Sequence, residues 1–312
     1  MGTTVMGARP LLALSALSLV ALMLAACGSG GAPVEPDGAV IFGSLPGRIV
    51  FSSFREGSQD IFVMNGDSTE QRRLTDDPVD ASGPAWSPDG RFIAFASSRD
   101  GNVEIYVMNR QGTGQRRLTT DPSVDNLPAW APDGVTIAFT SGRDGNSEIY
   151  LMNMAGGRVQ RLTTHPAVDW GATWSPDGGS IAFTSDRDRN SEIYAVEIDG
   201  TGLRRLTDDP ARDWYPAWSP DGESIAFVSD RGGHDAVYVM AADGTAVRRL
   251  TTGPARALEP SWSPDGEYVA YVSVQNGNWD IFAVRAAIGP DGPENWRLTT
   301  GEAIDWNPSW GR

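Results

Sequence analysis

Lysine is missing from this 312-residue chain: all 25 basic side chains are Arg, set against 40 Asp and Glu, for a formal charge of −15. Such a balance opposes binding to nucleic-acid phosphates and to anionic lipid head groups, and it favours cations or basic proteins. A single Cys excludes an intrachain disulfide. Two His residues, His165 and His234, leave little material for a hydrolytic triad. No GxSxG, HExxH or Walker pattern occurs, so the usual signatures of hydrolases, zinc peptidases and nucleotidases are missing too. The longest apolar stretch, LLALSALSLVALMLAA at 11–26, has 16 residues, short of the roughly 20 that a membrane-spanning helix needs. What the chain does contain is turn formers, with Gly 36 and Pro 21, and 40% apolar residues. That composition suits an all-β chain with a real core.

The apolar stretch follows a single positive charge at Arg9 and has the length of a secretory h-region. It ends in LAAC, and the Cys is Cys27. Small residues before a Cys resemble the lipobox of bacterial lipoproteins. The resemblance implies cleavage before Cys27 and lipidation of that residue, palmitate included. Residues 1–26 are therefore read as a signal peptide. Removing them takes away one Arg and no acid, leaving the rest still more acidic. Residues 27–46 read as the lipidated Cys and a flexible Gly/Pro/Ala-rich linker. The expected location is a bacterial envelope, lipid-anchored and facing the periplasm or cell exterior, with no membrane contact beyond the lipid.

The remainder, 47–312, is repetitive. AWSPDGRFIAFASSRDGNVEIYVMN at 85–109 returns 44 residues later as AWAPDGVTIAFTSGRDGNSEIYLMN. The Asp of the PDG turn stands at 89, 133, 177, 221 and 265, and the Trp before it at 86, 130, 174, 218 and 262. A sixth copy gains four residues and reaches Trp310. Periods of this length built from four short strand-like pieces signal the blades of a propeller. The first piece ends in a Ser-Pro-Asp-Gly turn. The second alternates, as SIAFTS does. The third, as in SEIYAVE, is apolar on both faces, as a strand sandwiched between neighbouring blades should be. The fourth, RRLT, is short and charged, as suits an outer edge. The folded part starts in a second piece, GRIVFSS, and ends in a first piece, NPSWGR. The expectation is an all-β, six-bladed propeller whose C-terminal strand completes the first blade.

The run LTDDPARDWYPAWSPDGESIAFVSDRGG at 206–233 resembles the repeat of the TolB-type propeller, and the resemblance extends over 47–312. It implies an envelope protein that binds other proteins and performs no catalysis. TolB-type proteins carry an additional N-terminal α/β domain, for which residues 28–46 are too few.

Candidate chemistry is sparse. His165 lies where other copies carry Asp121, Asp209 or Gly253, and His234 lies in a loop; both read as solvated loop residues. Asp186, Asp188, Asn190 and Glu197 match positions 1, 3, 5 and 12 of an EF-hand loop, but Ser191 occupies the Gly position and 192–197 should be a strand. No cofactor or metal is assigned; calcium is left as an open alternative in this loop. Arg55, Arg99, Arg143, Arg187 and Arg231 recur near an acid at Asp60, Glu104, Glu148, Glu192 and Asp280, which suggests a brace between the second and third pieces. The Trp before each PDG turn reads as core.

The best binding signal lies where the copies differ. Asp125, Asp169, Asp213 and Asp305 occupy equivalent places before the first piece, and Trp170, Trp214 and Trp306 follow three of them. These loops should rim the tunnel mouth, where Asp and Trp would meet a basic envelope partner. The alternatives from other classes are a carbohydrate-active propeller enzyme, a polysaccharide lyase or glycosidase, and a calcium or ligand sensor.

Overall fold

The computed structural model describes residues 45–55, 57–275, 277–287 and 294–312. The expected signal peptide, Cys27 and the expected linker as far as residue 44 lie outside them. Among the described residues every regular element is a strand. The strands form six antiparallel sheets of four.

The blade containing Asp169–Trp174, Ser180–Ser185, Glu192–Glu197 and Arg204–Arg205 shows the common plan, in that order from the axis outward. The turn between its first two strands closes with Gly178 N donating to Ser175 O at 2.9 Å, and Asp177 accepts from the Ser175 hydroxyl and the Gly179 amide. Proline at the second place of this turn and glycine at the fourth meet its backbone demands directly. Gly178 has φ +73°, which a glycine adopts without cost.

The third strand, Glu192–Glu197, is buried on both faces for five of its six residues, as its unbroken apolar run requires. Ile181, Phe183, Tyr194 and Val196 pack with Ile149, Leu151 and Leu162 of the preceding blade, so each core cluster lies between two blades. The repeated Trp residues belong to these cores: Trp174, Trp262 and Trp310 donate their indole N–H to Ala129 O, Ala217 O and Pro46 O of a neighbouring segment.

Ring closure follows the register of the sequence. Ile304–Gly311 pairs antiparallel with Arg48–Arg55, with Trp310 opposite Ile49 and Asp305 opposite Ser53. The innermost strand of the first blade is thus the last strand of the chain. The expected fold, including this closure, is the observed one.

Candidate functional site

The ring has two faces. One carries the Ser-Pro-Asp-Gly turns. The other carries the loops that enter each innermost strand and those joining second to third strands; we call it the loop face. In each blade the innermost strand shifts register by a bulge shortly after it starts, as between Trp214 and Ala217. The third residue of all six innermost strands, counted from the Asp or Ala that begins the motif, has positive φ: Gly83, Leu127, Gly171, Tyr215, Glu259 and Asn307. All six line the axial tunnel, and their side chains vary between blades, with Gly only at 83 and 171.

The four aspartates expected at the rim are fully buried. Arg143, Arg187 and Arg231 hold Asp125, Asp169 and Asp213 at 2.8, 2.9 and 2.7 Å, and Arg55 reaches Asp305 at 3.4 Å. A serine of the second strand joins each set; Arg187 Nε donates to Ser185 Oγ at 2.8 Å and Ser53 Oγ donates to Asp305 at 2.5 Å. Burial pushes all four carboxyls above the ordinary Asp value, and the serine and arginine donors pull against that rise. These carboxylates brace the loop face from beneath and offer nothing to a partner. The expectation of an acidic rim is corrected on this point: each Asp directly precedes or begins a strand packed under the second-to-third loop, where the recurring Arg already waits.

The expected brace between that Arg and the third-strand acid is corrected as well. Glu104, Glu148, Glu192 and Asp280 pair with the outermost-strand arginines Arg117, Arg161, Arg205 and Arg297 at 2.5 to 2.8 Å. The same acids accept from a buried Thr hydroxyl, as Glu192 does from Thr207 at 2.5 Å. That hydroxyl in turn accepts from the third-strand amide of Ile193 at 2.9 Å. Two separate sets of ion pairs are therefore present, one near the axis in four blades and one at the periphery in five.

The tryptophans behave differently from their aspartates. At the residue after the Asp, the six blades carry Ser82, Asn126, Trp170, Trp214, Leu258 and Trp306. Four consecutive blades are apolar there and two are polar, so the six-fold symmetry is broken. Trp170 meets the Tyr215 ring edge-on at 4.8 Å between centroids. Trp214, Tyr215, Trp279 and Trp306 pack on buried Val228, Leu258 and Val272, each keeping part of its surface exposed. Arg212 lies over Trp214 at 4.8 Å and Arg256 over Trp279 at 5.8 Å. Trp170, Trp214 and Trp306 are thus brought into one aromatic arc. Tyr215, Leu258, Trp279, Arg212 and Arg256 were not foreseen as part of it. One signal was available: Trp279 stands where other copies carry Gln59, Val103, Ser147, Ser191 and Asp235.

The tunnel also holds a cavity of about 920 Å3, running from the bulge ring to the prolines of the turn face. Trp170, Trp214 and Trp306 do not line it. Glu259 does, and its carboxylate accepts from Asn307 N at 2.6 Å. Among the described residues no Arg pairs with it, and burial lifts its pKa to about 7.

The EF-hand-like residues do not converge. Asp186 accepts from Ser191, Asp188 pairs with Arg205, Asn190 donates to two loop carbonyls, and Glu197 accepts from Ser180 across the sheet. Among the described residues no three His, Cys, Asp or Glu side chains come together as a metal would need. His165 Nδ1 accepts from Ala167 N within its own loop.

Closure by a terminal strand and six four-stranded blades around an axial tunnel define a six-bladed β-propeller. The chain belongs to the TolB beta propeller domain family, which matches residues 46–171, 122–201 and 164–311. Its structure is similar to that of TolB from Acinetobacter baumannii, at 24% identity and a TM-score of 0.76, covering 86% of this chain and 67% of that one. It is similar to a putative TolB from Agrobacterium tumefaciens, at 25% identity and a TM-score of 0.65, covering 84% and 98%. An oligogalacturonate lyase from Vibrio parahaemolyticus shares the fold at 18% identity and a TM-score of 0.51, covering 80% and 73%. No curated protein matches the chain.

Proposed function

We propose that this chain is a lipid-anchored envelope scaffold that binds a protein partner on its loop face and carries out no catalysis. The observation that supports this most is the aromatic arc of Trp170, Trp214, Leu258 and Trp306, confined to four consecutive blades. Packing alone would repeat in all six, as the core tryptophans do. Large rigid aromatics with adjacent Arg are the usual anchors of protein interfaces. The partner lays an apolar segment over the arc. Its basic groups are steered by the net negative charge of the whole molecule, because the three aspartates beneath the arc, Asp169, Asp213 and Asp305, are already paired with Arg. Membership in the TolB propeller family and the LAAC leader favour an envelope location.

The test is capture from detergent-solubilised envelopes. Replacing Trp170, Trp214 and Trp306 together by Ala should abolish capture, while changes at exposed turn-face positions such as Glu223 should leave it intact. Melting curves serve as the fold control. A triple variant that melts normally and still captures the same partner would place the interface elsewhere.

A further inference from the structure

The outer ion-pair network is interrupted in one blade. In three consecutive blades a Tyr, an Asp and an Arg form a trio on the loop face. Tyr106, Tyr150 and Tyr194 donate to Asp100, Asp144 and Asp188. Arg117, Arg161 and Arg205 hold those aspartates through Nη1 at 3.4, 3.4 and 3.3 Å. Their Nη2 atoms hold Glu104, Glu148 and Glu192. The next blade retains the Tyr, Tyr238, and the Arg, Arg249. Both acids are gone: Gly232 stands in the Asp column and Ala236 in the Glu column.

Arg249 is therefore left with no carboxylate within 4.0 Å among the described residues. Its Nε donates to Thr251 O at 2.6 Å and its Nη2 lies 2.9 Å from His234 Nε2 and 3.2 Å from Gly253 O. No hydrogen bond is formed by Nη1 or by the Tyr238 hydroxyl among the described residues. A Cβ on Gly232 would lie 3.0 Å from Tyr238 Oη and 3.2 Å from Arg249 Nη1, so the missing side chain would have grown straight between them. Gly232 itself is exposed and Arg249 is partly exposed. The two acids flanking Gly232 in the same loop are already engaged, Asp230 by Arg212 at 3.0 Å and Asp235 by Arg256 at 2.5 Å. His234 is not a third donor to the gap: it replaces Asn102, Asn146 and Asn190, which tie the second-to-third loop to the following loop, and it bonds Gly253 O at 2.9 Å in the same way.

We propose that Tyr238 and Arg249 form a binding slot for an external carboxylate, shaped by the loss of Asp at Gly232. The ligand group is an acid that supplies what the three other blades supply internally. It accepts from the Tyr238 hydroxyl and from Arg249 Nη1, and it neutralises a guanidinium that is only partly solvated. The slot is independent of the aromatic arc, although both lie on the loop face.

Formate is the probe, titrated against chloride at constant ionic strength into the isotope-labelled protein. The expected result is a saturable shift of the Arg249 Nε–Hε and Tyr238 ring signals, half complete at roughly tens of millimolar, the weak range of partly exposed pairs. Gly232→Asp should lose that response, because its own carboxylate fills the slot. Ala236→Glu supplies an acid from the other column and should weaken it. N-acetyl-aspartate amide in place of formate distinguishes the sources: a tighter response identifies an acidic side chain of a polypeptide, an equal or weaker one a free small acid. The proposal is overturned if wild-type signals do not move with formate, or if Gly232→Asp responds as wild type does. The Asp variant should fold, since three blades already carry Asp in that column and Gly232 does not have the positive φ of Gly233.

Discussion

Asp169 has no exposed surface, and Arg187 donates to its two oxygens at 3.2 and 2.9 Å. Removing one member of such a pair leaves the other charged and largely dry, which costs about 3–5 kcal/mol. Asp169→Ala should therefore lower the urea midpoint sharply, and a midpoint near wild type would show that solvent reaches Arg187 freely. Glu259 presents the opposite case, a tunnel carboxylate without a guanidinium. Its pKa is raised to about 7, whereas in the unfolded chain it ionises near the ordinary 4.5. Between those values the folded state holds more protons than the unfolded one, so this group makes stability fall as pH rises from about 4.5 to 7 and adds no further loss above that. Glu259→Gln should flatten that part of a stability–pH profile; an unchanged slope would assign the fall to other groups.

Closure depends on one element. Ile304–Gly311 brings Trp310 into the core shared with Ile49, Phe51 and Met64, and it covers the inner edge of Arg48–Arg55. Deleting 305–312 removes few residues but uncovers a strand edge and an interblade face. At about 25 cal/mol per Å2 of apolar surface, the loss should amount to several kcal/mol. A truncated protein with an unchanged melting temperature would refute closure by this strand. The strands, their order and this closure were legible in the sequence because each rests on a local period: alternation, the PDG turn, and the 44-residue spacing. Which Arg pairs with which acid was not legible. Arg99, Arg143 and Arg187 lie close in sequence to Glu104, Glu148 and Glu192, yet the bulged inner strand brings Asp125 and Asp169 nearer to two of them. Proximity in the chain and proximity in the sheet differ wherever a loop folds back over the strand end.

For the whole molecule, the proposed lipid anchor and the acidic charge each make a testable statement about where it goes and what approaches it. Cys27→Ser should leave the propeller folded and release it from the membrane fraction, because a lipid chain supplies affinity that a surface of this charge cannot. If the variant still pelleted with membranes after a salt wash, Cys27 would not be the anchor. Partner capture should weaken as salt rises, since steering by net charge is screened over about 8–10 Å near physiological ionic strength. Capture that is indifferent to salt would leave the aromatic arc as the sole source of affinity.

The sequence alone determined the number of blades, the position of the turns, the shared Trp cores and the strand that closes the ring. Each is written in every copy, and a contact required by all copies is visible as a repeat. Tertiary structure alone decided which of the non-repeated residues are buried. Asp169 and Trp170 are neighbours in the chain, yet one lies beneath an Arg with no exposed surface and the other lies in a partly exposed arc. In an extended strand successive side chains point to opposite sides, and only the neighbouring strands and loops determine which side is covered.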